Sequence, residues 1–280
     1  MRYLLVLSLL AFFLHSTYAK QFNQWYPFYR KSLTIMENTP ECYDNYARDI
    51  QDGGASDPDV CKTMVNCLMT NNGDINKSDW ASAVVLLGLT PTILGQLGSA
   101  LKEKAQLSFQ SPLLGLLCIL GGPSIPFERP WVKENSPDEK KLSHFAWKER
   151  KIKLIMVPKY LLAVGAAANV LHNMITLGQQ TIISWKCTWS HLELVWVFTA
   201  FVPVLFAVGA IFFKKRARCL NSVSNIMCAV HVVFGTLMLS SVLFIGTIDA
   251  LVVVVRLTAS TLVCQFITVL ELEDKGDEIL

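Results

Sequence analysis

The sequence predicts an all-α polytopic membrane protein in which a small disulfide-bonded extracytosolic N-terminal domain precedes a helical transmembrane bundle. Three observations lead there. The chain of 280 residues is 52% hydrophobic and only 17% charged, more apolar surface than one soluble domain usually buries. Past residue 80 it holds six apolar runs, 81–101, 107–127, 154–183, 192–213, 225–246 and 250–270. Each is near the roughly 20 residues that a helix needs to cross a hydrocarbon core of about 30 Å. Before them, residues 20–80 are polar, with nine acids, six bases and three cysteines.

Residues 1–19, "MRYLLVLSLLAFFLHSTYA", have a basic start, an apolar middle and small residues at Thr17 and Ala19, the layout of a signal peptide. An uncleaved signal anchor is the alternative, and both place the 20–80 segment outside the cytosol. Within that segment the aromatic stretch "FNQWYPFY", residues 22–29, offers either a surface for an unknown protein or small-molecule ligand or a face that packs on the bundle. Cys42, Cys61 and Cys67 lie there, and Cys187 lies in the loop joining 154–183 to 192–213. Four thiols in an oxidising compartment allow two disulfides. Cys61 and Cys67 are six positions apart in "DPDVCKTMVNCLMT". If that stretch is helical their Cα atoms stand about 9 Å apart, beyond the roughly 7 Å that a disulfide spans. One is then expected to pair with Cys42 and the other with Cys187, unless Cys187 stays free or pairs between chains. "DINKSDW", 74–80, imitates the start of a calcium loop but has Asp79 where the glycine belongs and Val85 where the glutamate belongs. No metal or cofactor is expected. Asn76 opens a glycosylation sequon beside Trp80.

The region 81–127 is expected to hold one crossing, 81–101, fenced by Trp80 and the "KEK" of 102–104, and one re-entrant or interfacial segment, 107–127. Proline and glycine at Pro112, Gly121, Gly122, Pro123 and Pro126 leave an uninterrupted helix only over about 113–122, roughly 15 Å or half a bilayer. Charge requires the same odd count of crossings. The loop 128–153 carries eight Lys or Arg, and "KKRAR" occupies 214–218; basic loops beside spans stay cytosolic. The loop's Leu142, Phe145 and Trp147 fit an interfacial helix on anionic lipid or, equally, a solvated loop. The 154–270 region supplies four spans, of which the last two form a hairpin with Asp249 as N-cap of the returning helix. The acidic tail 271–280 ends in the cytosol of a plasma membrane or other secretory-pathway membrane.

Polar residues inside the spans are the candidate sites. Asn169, His172, Asn173 and Thr176 recur at helical spacing. They form either a ligand or proton site or interhelical hydrogen bonds. Arg256, about 10 Å inside its helix, is expected to pair with Asp249 or lipid phosphate, or to bind an anion. His231 reads as packing, and Glu193 favours the N-terminus of its span. A net charge of +3 gives no ground for nucleic acid, and no phosphate loop, GxSxG elbow or HExxH motif occurs.

"LGLTPTILGQLGS" at 87–99, followed by "SPLLGLLCILGGP" at 111–123, resembles a family of uncharacterised multi-pass membrane proteins of filamentous fungi. The resemblance implies a cysteine-bearing ectodomain ahead of a membrane region and carries no activity. The expected role is non-enzymatic sensing, interaction or scaffolding through the ectodomain. A small-molecule transporter or channel using the 154–183 polar stripe is the alternative, and a membrane-embedded enzyme is a third.

Overall fold

The computed structural model describes residues 22, 24–37, 42, 46, 48, 58–122, 150–185, 187 and 189–276. The expected signal peptide 1–19, nearly all of the loop 128–153 with Leu142, Phe145 and Trp147, and the end of the acidic tail lie outside these residues.

In chain order the elements are α1 (Pro27–Glu37), α2 (Pro58–Thr70), α3 (Asp74–Leu97), α4 (Leu101–Gln110), α5 (Pro112–Leu120), α6 (Arg150–Gln180), β1 (Ile182–Ile183), α7 (Leu192–Thr199), α8 (Phe201–Phe212), α9 (Ala217–Leu239), β2 (Val242–Leu243) and α10 (Thr247–Gly276). Among the described residues five stretches are long and apolar enough to cross a membrane: Asp74–Leu97, Met156–Gln180, Leu192–Phe212, Ala217–Leu239 and Thr247–Leu272. The chain is an all-α membrane protein with a disulfide-bonded N-terminal region. The run 107–127 is not among the five. It divides between the end of α4 and α5, which have 10 and 9 residues, about 15 Å and 14 Å of helix. Pro112 opens α5 and Gly121 closes it, because proline's missing amide costs nothing in a first turn.

Several limits differ from the apolar runs. Helix α3 starts at Asp74, an acid in its first turn, so "DINKSDW" is helical. The third span breaks at Ala200, three residues before Pro203, whose ring and missing donor interrupt the ladder. Helix α9 begins inside "KKRAR". Helix α10 starts at Thr247, which makes Asp249 its third residue; the residue before the helix is Gly246, whose carbonyl accepts from the Ala250 amide at 2.9 Å.

The chain forms two compact units. Unit 1 takes Met1–Leu89, Met174–Val195 and Leu237–Val253; unit 2 takes Thr90–Asn173, Trp196–Thr236 and Val254–Leu280. In unit 1, α2 sends its two cysteines to different partners. Cys67 bonds Cys42 and Cys61 bonds Cys187, with Cα–Cα distances of 5.8 and 6.0 Å. The second bridge closes 126 residues, worth up to about 5 kcal/mol of unfolded-chain entropy. Spans held in a bilayer reduce that figure by restricting the open chain. Trp25, Tyr29, Trp80 and Phe244 form the aromatic core, with Trp25–Phe244, Tyr29–Trp80 and Trp80–Phe244 edge contacts at 5.4, 5.4 and 5.1 Å. The stretch 22–29 therefore packs inward: Phe22, Trp25, Tyr26 and Tyr29 are buried, and of its aromatic residues only Phe28 is exposed. Trp80 is buried too, rather than marking an interface. Strands β1 and β2 pair antiparallel, Ile182 opposite Leu243 and Ile183 opposite Val242. Phe244 follows at φ 65°, a left-handed conformation that an aromatic residue adopts at a cost and that its ring contacts hold in place.

Asp79 fastens these pieces. Its carboxylate accepts from the Tyr29 hydroxyl at 2.7 Å, from Thr247 Oγ1 at 2.6 Å and from the Thr247 amide at 3.3 Å, so α1, α3 and the start of α10 meet at one side chain. Asp249 accepts from the Phe28 amide at 3.3 Å, satisfying a first-turn donor of α1 that no helix can bond internally.

In unit 2, α5 ends against α10. A Cβ on Gly122 would lie 2.8 Å from Thr261 Oγ1, and one on Gly121 would collide with Cys264 Sγ, so only glycine permits this approach. The "KEK" residues have separate fates. Lys102 is exposed, Glu103 caps the Ala100 amide at 2.8 Å, and Lys104 is buried with its ammonium on the Gly122 carbonyl. At the other end of α10, Glu271 is buried. It pairs with Lys159 of α6 at 3.2 Å and accepts from Ser111 Oγ at 3.1 Å, so it is not part of a solvated tail.

Phe244→Ala is expected to lower unfolding stability by about 3–5 kcal/mol, measured as a thermal melt of the detergent-solubilised chain. Burial and the Asp79 carboxylate push the Tyr29 phenol above its ordinary 10. Folding therefore favours the protonated phenol. Its contribution is whole below pH 10 and declines as pH rises beyond it, so Tyr29→Phe is expected to flatten the alkaline limb of stability against pH.

Candidate functional site

The candidate site is built on Arg256, where α10 meets α6 in unit 2. Arg256 lies nine residues past Thr247, about 14 Å along the helix, where charge is costly. Its Nε donates to Asn169 Oδ1 at 2.9 Å and its Nη2 to His172 Nδ1 at 3.2 Å. A guanidinium can only donate, so His172 Nδ1 is the acceptor in this contact. Asn169 is saturated in turn: its Nδ2 donates to the Arg256 carbonyl at 2.9 Å and to Ser260 Oγ at 2.8 Å. Arg256 is half-buried and His172 is exposed, with exposed Leu162, Val252 and Val255 on the same two helices.

The arrangement holds a permanent cation in place with neutral acceptors. Among the described residues no carboxylate lies within ion-pair distance of Arg256. Asp249, the expected partner, instead receives the Phe28 amide. The structure thus joins Asn169 and His172 to Arg256, and spacing along the chain gave no sign of this, because the contact spans 84 to 87 positions. Ser260, four residues after Arg256, is the part of the site that the sequence reading missed; its i+4 spacing was the available signal. Asn173 is buried and Thr176 half-buried on α6.

The remaining candidates fall elsewhere. His231 lies mid-helix in α9 rather than near an end. Its ring stacks on Trp196 at 5.5 Å and its Nδ1 meets Thr199 Oγ1 at 3.0 Å, a packing arrangement. Glu193, second residue of α7, is buried against Gly178, where an added Cβ would lie 2.9 Å from its Oε2 and 2.1 Å from the Ser190 carbonyl. Asn76 is half-buried in the first turn of α3 and donates to Asn72 Oδ1 at 2.9 Å. Among the described residues no three His, Cys, Asp or Glu side chains gather as a metal site.

Asn169→Ala strips an acceptor and two donors from a half-buried network and is expected to lower stability by about 1–3 kcal/mol. Arg256→Leu removes a charge that costs roughly 2.5–3.5 kcal/mol at a span centre, and is expected to leave the melting temperature unchanged or raise it. Thermal melts in detergent check both. No protein-family model, curated protein or solved structure matches the chain, so these roles rest on geometry alone.

Proposed function

We propose that the protein is a non-enzymatic multi-pass membrane protein that senses or binds an unidentified protein or small molecule through its N-terminal domain. Residues 20–80 would face away from the cytosol and the C-terminus into it, in the plasma membrane or another secretory-pathway membrane. The observation that carries this reading is the fastening within unit 1. The Cys61–Cys187 bridge ties α2 to the α6–α7 connection, and Asp79 ties α1 and α3 to the start of α10. A ligand that displaces the N-terminal domain therefore pulls on several spans at once. With Trp25 and Tyr29 committed to the core, the contact surface would be Phe28, Trp185 and Trp189, which are 56%, 52% and 55% exposed.

A second reading, a small-anion transporter, is favoured by Arg256. A cation kept at depth by neutral partners has vacant donors for a passing anion, and ionisable groups at that depth commonly mark pathways.

Cells lacking the chain and complemented with variants separate the two. The sensing reading expects Cys61→Ser and Asp79→Asn to lose complementation at normal membrane abundance, while His172→Ala and Arg256→Gln retain it. The reverse pattern, with anion flux into reconstituted vesicles abolished by Arg256→Gln, would replace it with the transporter.

A further inference from the structure

Unit 2 contains a cavity of about 670 Å³ between α4, α8 and α9, inside the roughly 300–1,000 Å³ range of small-molecule sites. Its walls differ. Ala105, Ala207, Ala210 and Ile211 supply an apolar side. Lys102 and Gln106 from α4 and Asn221 and Asn225 from α9 supply polar lining. Among the described residues no acidic side chain lines it.

Its level in the fold is set by the chain. Ala207 and Ile211 belong to the last turns of α8, just before Lys214–Arg216, and Asn221 and Asn225 belong to the first turns of α9, just after Arg218. The cavity therefore lies within about 10 Å of the densest basic cluster in the chain. Lys215, Arg216 and Arg218 are exposed there. An edge-to-face pair, Phe109 with Phe212 at 5.2 Å, borders it with both rings about half to two-thirds exposed, at 49% and 66%. Helix α4, too short to span, carries Lys102, Gln106 and Gln110 on its exposed face and Leu101, Ala105 and Leu107 on its buried one, the pattern of a helix lying in a membrane interface. A lining of this mixture, beside a basic cluster, suits an occupant that carries both a negative group and apolar surface.

We propose that this cavity holds the phosphate headgroup and upper acyl chain of an anionic glycerophospholipid from the leaflet that Lys214–Arg218 faces. The basic cluster attracts the headgroup, the asparagine and glutamine amides bond its phosphate and ester oxygens, and the alanine wall leaves room for the chain.

The test uses the purified full-length protein in mixed micelles with equimolar phosphatidylglycerol and phosphatidylcholine, with retained lipid read by native mass spectrometry. The expected result is at least a fivefold excess of phosphatidylglycerol adducts. Ala210→Trp, which fills the cavity, and Asn225→Glu, which places a like charge at its exposed rim, should each bring the two lipids to near parity. Val230→Trp, on a lipid-facing surface of α9 away from the cavity, should keep the excess. Asn225→Glu keeps the test decisive if Ala210→Trp fails to fold. Equal retention by the unmodified protein, or an undiminished excess in a folded cavity variant, would overturn the proposal. Displacement of the lipid by soluble glycerol 3-phosphate would also overturn it, since the site would then read phosphate without a chain.

Discussion

The constraint on which the rest of this structure depends is that a polar group in hydrocarbon has no water to bond and must find its partner within the protein. The hydroxyls of Thr181, Ser260 and Thr268 turn back onto carbonyls four residues earlier, at 2.6, 3.2 and 2.8 Å, because no other acceptor costs so little to reach. Longer side chains reach other helices. Asn169 bonds α10, Lys159 finds Glu271, and Lys104 lies on the carbonyl of Gly122. Each such bond fixes the rotation of one helix against the next, which apolar contact alone leaves loosely defined.

The two units meet that constraint by different means. Unit 1 relies on covalent bridges, a strand pair and edge-to-face aromatic contacts around Trp80 and Phe244, the devices of a small domain whose own core is thin. Unit 2 relies on small residues and buried charge. Gly121 and Gly122 bring the end of α5 onto α10, and the Lys159–Glu271 pair, with Ser111, joins α6 and α10 to the turn between α4 and α5. A buried ion pair seldom adds much net stability over apolar packing. Its value here lies in register, since only one seating of the three segments brings its members together.

The number and order of the spans were legible because apolar runs of spanning length dominate the chain, and the short α5 was legible from Pro112 and the glycines that follow Leu120, whereas α4 was not expected. The four cysteines Cys42, Cys61, Cys67 and Cys187 could be grouped from compartment and helical spacing. Boundaries were less legible. Asp74 starts α3 seven residues before its apolar run because a helix extends until its capping and charge signals fail, whether or not the residues are apolar. The β1–β2 pairing hid inside runs read as helix, since Ile182 and Val242 suit either state. The partner of Arg256 could not be read at all. Asp249 lies on the same helix at a favourable spacing, and only the fold shows that the Phe28 amide takes its carboxylate.

The Cys61–Cys187 bridge has a consequence for how the chain is made. On the proposed topology, Cys42 and Cys67 emerge within 25 residues of each other and can join early, whereas Cys61 waits for a partner 126 residues downstream. At about 5–20 residues per second of synthesis, that wait lasts roughly 6–25 s, at the start of which three unpaired thiols share one compartment. Cys61 and Cys67 stand on one helix with nearly two turns between them, so they cannot close on each other. The remaining hazard is a bridge from Cys42 to Cys61, and quick closure of Cys42 onto Cys67 removes it. Closure of Cys42 onto Cys67 before Cys187 is made thus protects the connection that fastens the N-terminal domain to the spans.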